Sequence, residues 1–139
     1  MSSVDVAADA TCVWALVGNF GRFDAFIPAL SHIEMTGTGV GALRTKFFHD
    51  GHCVVEQLNS HDEQARCMTW SPLYNTLGIA QLWAAMQVAP LAGGGSRVIW
   101  TVVAEPLGPD AQGFEQFVRG FTEGALENVR QRYAGPVRS

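Results

Sequence analysis

The final segment of the chain carries the strongest periodicity. Between Asp110 and about Tyr133, apolar residues fall at Phe114, Phe117, Val118, Phe121, Ala125 and Val129, the spacing of one helix face, while Glu115, Arg119, Glu123, Glu127 and Arg130 occupy the other. Such a helix is roughly 35 Å long at about 1.5 Å per residue, enough to cross a small domain. Gly113, Gly120 and Gly124 flank the stripe. Glycine inside a helix is unfavourable by about 0.5–1 kcal/mol relative to alanine, so these positions are read as leaving room beside the helix. A helix laid over a concave sheet with space between them is a container.

Upstream, Val4 and Val6 alternate with polar neighbours as a short strand. Asp9 is placed to cap a helix whose apolar face holds Val13, Leu16, Val17 and Phe20, with Trp14 alongside and Gly18 and Gly21 at its end. A helical turn over 22–27 stops at Pro28. Strand signals follow at 32–36, 43–49, 52–60, 66–71, 79–88 and 97–105, divided by turns such as Asp50-Gly51 and Gly93-Gly94-Gly95. The order strand, two helices, six strands, long helix predicts an α+β domain: a curved seven-stranded antiparallel sheet wrapped around the long C-terminal helix, with the two short helices after strand 1 closing one end. On the last strand, Val98, Trp100, Val102 and Ala104 share the face expected to meet that helix. No linker, repeat or low-complexity stretch divides the chain, so 1–139 is read as one domain.

Composition narrows the function classes. At 139 residues, 47% hydrophobic and 16% charged, the chain can bury a full core and is not disordered. A net charge of −4 and a single lysine provide no basic stripe, which disfavours nucleic acid as a partner. There is no signal-like N-terminus and no apolar run near the roughly 18–20 residues of a membrane span, so a cytoplasmic protein is expected. Cys12, Cys53 and Cys67 are odd in number and lack metal-ligand spacing, consistent with reduced, packed thiols.

Five segments, CVWALVGNFGRFDAFIPAL at 12–30, GVGALR at 39–44, CVVEQL at 53–58, VIWTVV at 98–103 and FTEGALENVR at 121–130, resemble the START-like (SRPBCC, helix-grip) superfamily. Within it they are most similar to small bacterial polyketide cyclase/dehydrase-like proteins. The resemblance implies a helix-grip fold, a deep apolar cavity between sheet and terminal helix, a small hydrophobic molecule as partner, and no cofactor. A homodimer is left open. Two departures bear on the pocket: Trp70 stands where the family usually has tyrosine, and 72–78 is a loop of this chain's own.

Glu56 lies in the middle of an apolar strand, where a cavity-facing carboxylate requires a partner. A two-residue turn at Asp50-Gly51 sets Glu56 opposite Thr45, whereas a three-residue loop with Gly51 in the left-handed position sets it opposite Arg44. The resemblance favours the second register. A paired Glu56 and Arg44 would suit proton abstraction beside a carbonyl and retention of the enolate oxygen, as in cyclisation or dehydration. The alternative is a wet surface ion pair worth about 0–1 kcal/mol, in a protein that binds or transports a lipid-like ligand without chemistry. His49, at the hairpin tip, is a secondary acid/base candidate. No third ligand accompanies His49 and His52, so no metal site is expected. Trp70, Trp100, Phe117 and Phe121 are candidate ligand-lining residues, Tyr74 a candidate gate, and Trp14 packing of the first helix.

Overall fold

Local polarity sets an element order that the computed structural model, which describes residues 1–134, reproduces. The elements are β1 (Ser2–Val6), α1 (Ala10–Val17), a 3₁₀ turn (Phe23–Ala25), β2 (Leu30–Thr36), β3 (Leu43–Phe48), β4 (Cys53–Asp62), β5 (Cys67–Asn75), β6 (Ile79–Pro90), β7 (Ser96–Pro106) and α2 (Ala111–Arg132). The strands form one antiparallel sheet in the order β1-β7-β6-β5-β4-β3-β2, so the first strand lies beside the last. Asp9 and Asp110 cap the two helices, accepting from the N–H groups of Cys12 and Gly113 at 2.8 and 2.9 Å.

The core lies at one end of the sheet. Val13 and Val17 of α1, Phe23 and Phe26 around the 3₁₀ turn, and Ala125 and Val129 of α2 pack there with the inward residues of the strands. Asn128 fixes this end by donating to the Phe26 carbonyl at 3.1 Å. The N-terminal half of α2 behaves differently: Phe114, Val118 and Phe121 are only partly buried and Phe117 is exposed. The apolar stripe is continuous, but only its C-terminal half closes onto the sheet. Space therefore remains beneath the first three turns.

That space does not come from the glycines. Gly120 and Gly124 are exposed and an added Cβ would meet nothing, while a Cβ at Gly113 would strike the capping Asp110 carboxylate. The reading of these glycines as room beside the sheet is thus corrected: two lie on the solvent side and the third accommodates the cap. A second correction concerns 72–78. β5 runs on through Pro72 to Asn75, leaving only a tight turn. The ladder shifts at Leu73, and β6 pairs with β5 only as far as Trp70, so the missing N–H of Pro72 is tolerated. Asn75 then closes the turn by accepting from the Leu77 and Ile79 N–H groups at 3.1 and 3.0 Å.

Candidate functional site

The β3–β4 hairpin determines what faces the interior. Phe47 lies opposite Cys53 and the loop is three residues, His49 to Gly51, with Gly51 at φ +95°, a conformation glycine adopts without steric penalty. Arg44 is consequently opposite Glu56. Because side chains alternate along a strand, Lys46 shares the face of Arg44 and lies diagonal to Glu56, while Glu56 shares its face with Val54 and Leu58. On β3 and at the facing position of β4 the usual pattern is inverted, with charged residues inward: Arg44 and Lys46 of β3 and Glu56 of β4 are 0%, 6% and 3% exposed.

One carboxylate oxygen serves both cations. Arg44 Nε donates to Glu56 Oε1 at 2.8 Å, and Lys46 Nζ lies 3.1 Å from the same oxygen. Arg44 also donates through Nη1 to the Phe20 carbonyl at 2.8 Å. Its guanidinium carbon sits 3.8 Å from the Phe20 ring centre, 4.1 Å from that of Phe23 and 5.0 Å from that of Trp70. The aromatic rings enclose the guanidinium, a stabilising arrangement in a dry site. Burial alone pushes the Glu56 carboxyl up, but Lys46 and Arg44 outweigh it and hold the group below the ordinary carboxylate range. Burial likewise pulls the Lys46 ammonium down from its usual value, Glu56 opposing the shift and Arg44 adding to it.

Beneath the N-terminal half of α2 lies a cavity of about 60 Å³. Lys46 and Glu56 form its polar part, and the wall is otherwise mainly apolar, including Trp70, Trp100, Val102 and Phe121. Phe117, 51% exposed, stands where this cavity meets the surface. Trp100 and Val118 also border an open groove of about 450 Å³ between α2, β7 and the start of β1. A wider depression of about 700 Å³ lies between α1 and the β2–β3 turn, bordered by Phe20 but not by Arg44, Lys46 or Glu56. It is larger but holds none of the buried charges, so the small cavity is the better candidate site.

The cavity brings together Glu56, Trp70, Trp100, Phe117 and Phe121. Arg44 lies behind Glu56 in its aromatic enclosure rather than on the cavity wall. His49 is exposed at the hairpin tip, where its N–H donates to the Ala29 carbonyl at 3.1 Å, and it does not border the cavity. Tyr74 is 56% exposed and also outside the lining, whereas Pro72 and Leu77 from the same region are part of it. Trp14 packs α1 and donates to Glu63 at 3.0 Å. Sequence reasoning missed Lys46. Its signal was available: once Arg44 points inward, period-two alternation brings the chain's single lysine inward as well.

Among the described residues no three of His, Cys, Asp and Glu converge as metal ligands, and no helix is long and apolar enough to cross a membrane. Residues 1–134 match the family described as polyketide cyclase / dehydrase and lipid transport. Similar solved structures include a protein from Thermobifida fusca at 29% identity, covering 96% of this chain and 91% of that one with a TM-score of 0.84. XoxI from Bacillus cereus is 19% identical, with coverage of 96% and 93% and a TM-score of 0.89. The Zhui aromatase/cyclase from Streptomyces sp. R1128 is 16% identical, with coverage of 99% and 94% and a TM-score of 0.82. Comparison with curated proteins gives no match.

Proposed function

The chain belongs to the polyketide cyclase/dehydrase and lipid transport family, and on that premise we propose that it binds a small hydrophobic molecule, polyketide-like or aromatic, beneath the N-terminal half of α2. One observation carries this reading: an apolar cavity whose wall includes a buried ammonium and carboxylate, at the end of α2 that does not close onto the sheet. A volume of about 60 Å³ is well below the roughly 150 Å³ of an engineered cavity that takes benzene. Binding of a polycyclic ligand therefore requires α2 and Phe117 to move outward or the ligand to project past Phe117.

A second reading, cofactor-free cyclisation or dehydration, is favoured by the carboxylate on the cavity wall, with Glu56 taking a proton beside a carbonyl and Arg44 acting through Glu56. His49 stands outside this scheme. Electrostatics oppose it: a carboxylate held below its ordinary range by two cations is a weak base at neutral pH. Ligand binding is accordingly the conclusion. The test is thermal stability and product formation over a panel of aromatic and polyketide intermediates. Saturable stabilisation without conversion supports binding, because a ligand held only by the folded state raises its stability. Conversion would replace this reading with the catalytic one, and no stabilisation by any compound would remove both.

A further inference from the structure

The buried cluster does not balance its charge. Arg44 and Lys46 supply two cations and Glu56 one anion, and among the described residues no other carboxylate comes within 4.0 Å of either cation. An unbalanced buried charge is strongly disfavoured unless something compensates it. Arg44 is enclosed by Phe20, Phe23 and Trp70, so the surplus charge that reaches the cavity is the Lys46 ammonium. An ammonium has three donors, and Glu56 engages one.

A second donor points the same way. Trp100 Nε1 is buried without a hydrogen-bond partner, and Trp100 lines the same cavity. Indole nitrogen can only donate. Both cations share Glu56 Oε1, so the acceptors on the cavity wall are the second oxygen of that carboxylate and the Thr122 hydroxyl, and the cluster still carries one positive charge more than it balances. A ligand that completes it must bring oxygen acceptors and a negative charge on an otherwise apolar body.

We propose that the ligand is an apolar monocarboxylate, its carboxylate paired with Lys46 and accepting from Trp100, its hydrophobic part lying along Phe121 and leaving past Phe117. This specification rests on the cavity-binding reading and deepens it. A neutral ketone, alcohol or amide of the same skeleton satisfies the donors but leaves the charge unbalanced. The discrimination should therefore follow charge rather than shape.

The test is calorimetric titration of the full chain with octanoate, octanamide and octanol. Wild type is expected to bind octanoate at least about 10-fold more tightly than octanamide, the discrimination of one desolvated ion pair. In Lys46→Met that ratio should fall to within about 2-fold, whatever the change in octanamide affinity itself, and in Lys46→Arg, which retains the charge, most of the ratio should survive. Because the readout is a ratio within one protein, a change in overall stability does not imitate it. Equal binding of octanoate and octanamide to wild type overturns the carboxylate assignment and leaves the cavity reading standing. A ratio unchanged in Lys46→Met overturns the role of Lys46. Absence of binding by all three probes counts against the cavity reading itself.

Discussion

Removing the one anion from the buried cluster should be far more damaging than removing one of its two cations. Glu56→Gln keeps the side chain's shape but leaves Arg44 and Lys46 buried with no counter-charge, where Glu56 had drawn both within 2.8 and 3.1 Å. Breaking a buried pair in this way destabilises by about 3–5 kcal/mol, a large part of the roughly 5–15 kcal/mol available to a domain. For a chain of this size about 1 kcal/mol corresponds to roughly 3–5 °C, so the midpoint should fall by about 10–20 °C. Lys46→Met, by contrast, leaves the Arg44–Glu56 bond intact and removes the surplus charge, replacing it with a flexible apolar chain of similar length. Its stability should lie within about 1 kcal/mol of wild type or above it. The double variant should be more stable than Glu56→Gln alone by at least about 1 kcal/mol, since one buried cation remains instead of two. Urea unfolding of the four proteins at pH 7 provides the comparison. If Lys46→Met is as damaging as Glu56→Gln, the charge count that underlies the site is wrong.

Other outcomes follow from the same geometry. Because the folded Glu56 carboxyl is held below its ordinary value of 4.5, its stabilisation is complete above that value and is lost as pH falls through the folded one. The stability gap between wild type and Glu56→Gln should accordingly narrow below about pH 4.5, and a gap that stays constant to pH 3 would place Glu56 outside the ion cluster. Gly120→Ala and Gly124→Ala, at exposed helical sites with open space around the Cβ, should each stabilise by about 0.5–1 kcal/mol by thermal unfolding without altering probe binding. Phe23→Ala removes a buried ring that covers the Arg44 guanidinium and packs edge-on against Trp70 and Trp100, and should destabilise by about 3–5 kcal/mol in denaturant titration. A loss under about 1 kcal/mol would show that the enclosure of Arg44 does not depend on this ring.

Local signals in the sequence were sufficient for most of the fold. The α2 stripe, the caps at Asp9 and Asp110, and the alternation along β7 each follow from local sequence signals, whereas the Asp50-Gly51 turn leaves two registers open and the family resemblance favours the one that sets Arg44 against Glu56. What could not be read depends on packing between distant segments. The enclosure of Arg44 arises because Phe20 and Phe23, about twenty residues earlier, fold over β3. The exposure of Gly120 and Gly124 depends on how α2 is rotated about its axis, which a stripe with aromatic residues over a wide arc does not fix. The continuation of β5 past Pro72 depends on β6 having already left its side. Lys46 was legible in principle, and was passed over because lysine is ordinarily a surface residue.

The central claim, that an apolar molecule occupies the cavity under the N-terminal half of α2, can be read from the four tryptophans. Their indole N–H groups are separate nuclear magnetic resonance reporters: Trp70 and Trp100 line the cavity, Trp14 is tied to Glu63 beside α1, and Trp83 lies across from exposed Val103, 43% exposed itself. A 15N-labelled sample titrated with octanamide, which carries no charge, separates cavity occupancy from the identity of the ligand's polar group. The account predicts saturable shifts of the Trp100 and Trp70 indole signals with those of Trp14 and Trp83 unmoved. Movement of Trp83 or Trp14 while Trp100 stays fixed would contradict it.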